Sequence, residues 1–279
     1  NAKTGAILHV FNTNVGSSTS PSGLTYISGF AANAQYDNTI EQAYGGDLNG
    51  NVWRFDLSSA TPSNWSVKKL AALVDPSGNA QPVTSELELA TATINGAAKR
   101  LVFVGTGKYL GQTDVPGVVG ANSNATQVQT MYGLVDDLSA SPLISPLRSN
   151  LQAQTLVTSG STRTITGQSI NWATQRGWYI DLPAQERITT TPALAIGMLY
   201  FTSNTPNTNP CSPGGSSWLN IINYVSGTQV AGSSYASISL GNVLASRPIT
   251  IQTIDGSIKA IVRTSDSLTP TTALPYTPT

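Results

Sequence analysis

Charge is what this chain has least of. Its 14 Lys+Arg and 14 Asp+Glu make up 10% of 279 residues, against about 25% in an average soluble domain. The formal net charge is zero, and no basic run exceeds Lys68-Lys69. That excludes the electrostatic footprint of a nucleic-acid binder and the polybasic segment that seeks anionic lipid. Apolar runs fall far short of the ~20 residues that cross a bilayer as a helix, so no membrane span is expected. The single cysteine, Cys211, cannot form an intramolecular disulfide within the sequence. With no second Cys or cationic His beside it, it reads as a small buried thiol. The single histidine, His9, removes His-based zinc chemistry and leaves a Ser-His-Asp arrangement one candidate base. That residue lies in an apolar stretch, AILHVF, which reads as a strand with a packed imidazole.

What fills the space is Ser, Thr, Asn and Gln, a composition that fits an exported bacterial surface protein. The chain opens on AKTG in what reads as mid-strand, so a piece of a longer protein is expected. No segment repeats apolar residues at helical spacing, whereas alternation and turn dipeptides recur throughout. The strongest local signal is Ala43–Leu57, AYGGDLNGNVWRFDL. Two strands flank Asn49-Gly50, and the return strand alternates Val52, Arg54 and Asp56 against Trp53, Phe55 and Leu57. We assign Asp47 and Asn49 to the turn, and Trp53 and Phe55 to packing between structural units.

Further hairpins are expected around Asn95-Gly96, near Gly197 and at Asp255-Gly256, and Leu101–Val104 (LVFV) reads as a strand covered on both faces. Comparable strands begin near Val52, Met131 and Trp218, tens of residues apart, with several strands between them. A β-propeller of roughly four to six blades, at ~40–50 residues per blade, accounts for that spacing. We therefore expect an all-β chain, with residues 1–264 as propeller and 265–279 as a Thr/Pro-rich, loosely held tail.

Candidate chemistry is sparse. Glu86 and Glu88 fall on one strand face, but no further acid joins them for glycoside hydrolysis, and a solvated face is the expectation. Asp136 and Asp137 point opposite ways if extended. Gly105–Gly111, GTGKYLG, lacks phosphate-loop spacing and opens no helix. The metal question centres on one polar loop: Asn33, Gln35, Asp37 and Glu41 take positions one, three, five and nine of a calcium-type loop, with Thr39 offering its carbonyl at seven. Only two of these bring charge and Asn38 stands at the sixth position, so binding of Ca²⁺ would be weak or lost.

Read in order, TGAILHVF, GLTYISGF, the polar loop, AYGGDLNGNVWRFDL, LVFVGTGKYLG, QTMYGLVDD, GWYIDLP, ERITTTPALAIGMLYFTSNTP and NPCSPGGSSWLNIINYVSGTQV resemble the C-terminal propeller of the PilC/PilY family of type IV pilus biogenesis factors. The resemblance runs to about Val230. It implies a modified quinoprotein-like β-propeller at the pilus tip or cell surface that promotes pilus extension, adhesion and twitching motility, and is no enzyme. It also implies minor pilins at the pilus tip as partners, with a host-surface ligand or glycan as the adhesion target. The family's calcium loop, D-x-D/N-x-D-x-x-x-D, falls on Asn33, Gln35, Asp37, Thr39 and Glu41, where Asn33 and Gln35 replace acids and Glu41 replaces an aspartate. Two other readings stay open. One is a propeller enzyme, quinoprotein dehydrogenase or glycosidase, for which the chain offers no vicinal cysteines and few acids. The other is a glycan-binding surface propeller without a pilus role.

Overall fold

Period-2 alternation with both faces apolar dictates the architecture. A strand such as LVFV can satisfy all four side chains only if each face meets another sheet. The computed structural model describes residues 1–31, 33–208, 214–254 and 257–273. Within them the first unit is an antiparallel meander of β1 (Ile27–Phe30), β2 (Gln42–Gly46), β3 (Asn51–Asp56) and β4 (Ser66–Ala72). The second is built from β5 (Glu88–Ile94), β6 (Ala97–Gly105) and β7 (Thr130–Asp136). Its fourth strand comes only after β8 (Gln152–Ser159) and β9 (Thr162–Thr166), as β10 (Gly177–Asp181), antiparallel to β7. The third holds β11 (Ala193–Ala195), β12 (Met198–Pro206), β13 (Gly215–Asn223) and β14 (Ser237–Gly241), and the fourth β15 (Ile249–Gln252), β16 (Ile258–Ile261) and β17 (Thr271–Ala273). The first strand of each unit lies against that of the next, β1 on β5, β5 on β11 and β11 on β15. These are the blades of a β-propeller. β3, β7 and β13, the strands whose recurrence the sequence revealed, each stand third in their blade.

The alternation can be followed through the seams. In β6, Val102 and Val104 pack with Tyr44, Val52 and Leu70 of the first blade, while Leu101 and Phe103 face Leu199 and Phe201 of the third. In β12, Met198 and Tyr200 turn the other way, onto Ile258 and Ala260 of the fourth. One departure was not expected: the β8–β9 hairpin joins two blades at their outer edges. β8 runs parallel to β10 and β9 antiparallel to β14, which merges blades two and three into a continuous ten-stranded sheet.

Several sequence expectations are corrected here. Ala6–Phe11 forms no strand. It has no partner edge, and it lies extended with Ile7, Leu8 and Val10 exposed. His9 is half-buried, its ring tilted against Phe11 (4.6 Å between centroids, 59° between planes) and edge-on to Trp65 (6.2 Å). Trp53 and Phe55 pack beneath this segment, with Phe11 and Val15, instead of against another blade. Part of the expected tail is tied down, since β17 pairs with β16. Cys211 and the Asp255-Gly256 turn lie outside the described residues.

The hairpin turn also differs in detail. Only Gly50 takes a positive φ (77°), and Asp47 holds the turn. Its carboxylate, fully buried, accepts from Asn49 N (3.0 Å), Asn51 N (2.8 Å), Asn51 Nδ2 (2.9 Å) and Trp53 Nε1 (2.9 Å). The same D-x-x-G-N device recurs at Asp75–Asn79, where Asp75 Oδ1 accepts from Ser77 N (2.8 Å) and Asn79 N (2.9 Å). A short acceptor replaces a second residue of positive φ in each.

Blade two closes around Trp178, which is fully buried and donates its indole N–H to the Tyr224 carbonyl (3.1 Å). Its ring lies over Gly133, where a Cβ would approach Trp178 Cε2 to 2.4 Å. Gly133→Ala is accordingly expected to destabilise the chain by about 1–3 kcal/mol through overpacking, read as a lowered urea midpoint at unchanged slope. Gly96→Ala, at an exposed turn with nothing within 4 Å of the added carbon, makes the comparison: it carries only the backbone strain of its positive φ.

Candidate functional site

The polar loop from Asn33 to Glu41 joins β1 to β2 and stands at the seam between blades one and two. It begins with a tight turn in which Tyr36 N and Asp37 N both donate to the Asn33 carbonyl (3.0 and 2.8 Å). Thr39 then donates its hydroxyl (2.5 Å) and its amide (2.9 Å) to Asp37 Oδ1. Those two bonds, the hydroxyl first, hold the Asp37 carboxyl below the usual carboxylate range. The neck is closed by Glu41 N donating to the Phe30 carbonyl (3.0 Å). Asn33, Gln35, Asp37 and Thr39 are exposed and Glu41 is half-buried.

Sequence reasoning missed the residue that reaches this loop from the next blade, Arg100 of β6. Its guanidinium pairs with Glu41 (3.4 Å), donates to Gln42 Oε1, and lies over the Phe30 ring at 4.2 Å. The Arg100 side chain is only 11% exposed while that of Glu41 is 41% exposed, so the cation is the covered partner and the carboxylate the one that faces solvent. Beside it lies a cleft of about 260 Å³ lined by Phe30, Thr91, Lys99, Arg100, Asp136 and Leu138.

Beside the Arg100–Glu41 pair is a buried polar knot. Arg54 of β3 pairs with Asp136 of β7 at 2.8 Å, with side chains 4% and 0% exposed. Tyr44 of β2 donates its hydroxyl to the other Asp136 oxygen (2.8 Å), Leu138 N donates to Oδ1 (2.9 Å), and Arg54 also reaches the Ser139 carbonyl (2.7 Å). Burial and then the Asp136 carboxylate push the Tyr44 phenol well above its ordinary value, so it stays protonated and donating. Arg54 Nε has no partner in this knot. A signal for it was present in the sequence: Arg54 shares a strand face with Val52, and that face turns inward. Arg100 carried no such signal, because its contacts depend on how two separate sheets are set against each other.

As a donor set, the five loop residues offer oxygen only, the chemistry a hard cation such as Ca²⁺ takes. Their charge is two carboxylates, one already facing Arg100. Among the described residues no group of three or more His, Cys, Asp or Glu comes together, so a cation here would lean on neutral oxygens.

Glu86 and Glu88, expected on a solvated face, are half-buried, with Glu86 beside β1. Ser28 Oγ donates to Glu86 Oε1 (3.3 Å) and to the Leu87 carbonyl (2.6 Å). Burial, then the neighbouring Glu86, pushes the Glu88 carboxyl up to about 7, with Arg247 pulling it back. Asp136 and Asp137 do point opposite ways, one buried and one exposed. The Gly105–Gly111 segment is held structurally: Leu110 N and Gly111 N donate to Asp114 (2.8 and 3.2 Å), and Arg187 donates to the Lys108 carbonyl (2.8 Å).

Comparison with known proteins converges on one family. Residues 1–167 match the model described as the PilY1 beta-propeller domain. Over 217 residues the chain is 31% identical to a type IV pilus biogenesis factor PilY1 homolog of Xylella fastidiosa, covering 70% of this chain and 14% of that protein. It is 28% identical over 246 residues to the type IV pilus biogenesis factor PilY1 of Pseudomonas aeruginosa, covering 71% and 20%. The chain thus spans no more than a fifth of these relatives. Its fold resembles that of the Pseudomonas aeruginosa PilY1 C-terminal domain, with a TM-score of 0.73 at 22% identity over 98% of this chain and 65% of that one.

Two expectations follow from the seam. Asp136→Asn strands Arg54 as a buried, uncompensated charge and should cost about 3–5 kcal/mol in a denaturant titration, whereas Glu41→Gln at the exposed rim should cost at most about 1 kcal/mol. For Glu88 the folded carboxyl, at about 7, lies above its ordinary 4.5. The folded chain therefore binds that proton more tightly, and the contribution is full below about pH 4.5 and lost as pH rises through 7. Glu88→Gln should flatten that part of the fall in urea midpoint between pH 5 and 8.

Proposed function

The chain belongs to the PilY1 β-propeller family, and on that premise we propose that it serves as the propeller of a type IV pilus biogenesis factor at the bacterial cell surface. The observation that carries this reading is the family match over residues 1–167. In this reading it promotes pilus extension, surface attachment and twitching motility by binding, without catalysing a reaction. Its partners are minor pilins at the pilus tip, and its adhesion target a host-surface ligand or glycan. The residues offer little for chemistry, because deeply buried charged groups are already committed to partners within the fold. Arg54 is paired with Asp136, and Arg163 is held in a bidentate pair with Glu186 (2.7 Å at both contacts).

The reading includes a weak Ca²⁺ site on the β1–β2 loop. Side-chain oxygens of Asn33, Gln35, Asp37 and Glu41 and the Thr39 carbonyl would hold the ion, and when bound it would cross-link the loop. With two carboxylates, the affinity belongs in the roughly 10⁻⁴–10⁻³ M range of extracellular modules.

Deleting the gene in its native host should abolish surface pili, attachment and twitching, and the full-length gene should restore them. Unchanged piliation and motility would sink the pilus role. For the metal, calorimetric titration of chelator-treated protein should give weak binding that Asp37→Ala abolishes; binding untouched by that change would put the ion elsewhere.

A further inference from the structure

We propose that Arg100 is the resident cation of the β1–β2 loop, and that its guanidinium closes the loop's neck so that loop order does not depend on a divalent ion. From the proposed function this takes only that Asn33–Glu41 is a calcium-type loop.

The geometry supports it at three points. First, the guanidinium touches both ends of the loop. Phe30, which ends β1, lies under its face at 4.2 Å, and Glu41 and Gln42, which lead into β2, take its N–H groups. One planar group therefore spans the neck, which a point charge such as Lys could not do by the same fork and face. Second, the cation is built in. Arg100 stands in β6 opposite Asp136 of β7 and Thr91 of β5, in the middle of blade two, and its side chain is largely covered. Guanidinium over an aromatic face contributes on the order of 1 kcal/mol or more once partly desolvated, so it has reason to stay. Third, the contact competes with any metal. A Ca²⁺ at the loop needs the Glu41 carboxylate as one of only two charged ligands, and Arg100 already occupies it. Removing Arg100 therefore both opens the neck and frees the ligand.

Limited chymotrypsin digestion tests this, because Tyr36, at 81% exposure, is a ready cleavage point inside the loop. Wild-type protein should be cut at Tyr36 at the same slow rate in EDTA and in 5 mM CaCl₂. Arg100→Gln should be cut at least ten-fold faster in EDTA, with an unchanged far-UV spectrum, and Ca²⁺ should slow that cleavage. Glu41→Gln, at the exposed side of the same pair, should speed cleavage in EDTA without a response to Ca²⁺, and it covers the case in which Arg100→Gln does not fold. Arg100→Gln cut faster but indifferent to Ca²⁺ would leave the latch standing and remove the metal reading of Asn33–Glu41. The proposal is overturned if wild-type cleavage rises ten-fold in EDTA, which makes the loop metal-ordered. It is equally overturned if Arg100→Gln and Glu41→Gln are both cut at the wild-type rate.

Discussion

Burial of the blade strands on both faces is the constraint from which the rest follows. Once β6 has Val102 and Val104 in one seam and Leu101 and Phe103 in the other, neither face of that stretch is left for charge, and the strand's own Lys99 and Arg100 come before it. The charged residues that do enter the interior must then be compensated there, by an opposite charge or, as at Asp47 and Arg187, by several hydrogen bonds, because an isolated buried ion costs several kcal/mol. That explains both the low charge content and where the charges are. Arg54 meets Asp136, and Arg163 meets Glu186 while stacking on Trp218 at 3.8 Å.

The pairing also fixes which blades belong together. Asp136 ends β7 of blade two, yet two of its partners, Tyr44 and Arg54, come from blade one. Apolar seams tolerate sliding, since dispersion is non-directional. A carboxylate that must receive a phenol, a guanidinium and a backbone amide at 2.8–2.9 Å does not. The knot therefore specifies the setting of one sheet on the next, and the loop above it inherits that precision through Arg100.

How much of this was legible in the sequence follows from range. Features closed by neighbouring residues could be read directly: the Asp47 turn, the LVFV strand, and the third strands at Val52, Met131 and Trp218. The oxygen spacing of Asn33–Glu41 was equally local. Features that depend on a partner far along the chain could not. Arg100 lies 59 residues from Glu41 and in a different sheet, so nothing in its own neighbourhood announces the latch. Ala6–Phe11 has the apolar run of a strand, but strand formation needs an edge to pair with, and the segment instead lies over Phe55 and Trp65. The β8–β9 hairpin was readable as a hairpin, yet its half-exposed Ser/Thr faces gave no sign that it ties two blades together. Glu88 was misjudged for the same reason, since it shares a strand face with Ala90 and Ala92, which pack into the seam with blade three, and Arg247 lies far along the chain.

The two cations proposed for the loop, a divalent ion and the Arg100 guanidinium, would couple it to different things. A divalent ion would tie loop order to its own concentration, through the mass-action term RT ln(1 + [L]/Kd). A guanidinium on β6 has no such term: its effective concentration is set by the fold and changes only if blade two moves relative to blade one. With Asn33 and Gln35 neutral and Arg100 holding Glu41, the loop's state is linked to the Asp136 knot and through it to the integrity of the seam. A surface loop ordered in that way would follow the setting of blade two on blade one more closely than the ionic conditions it meets.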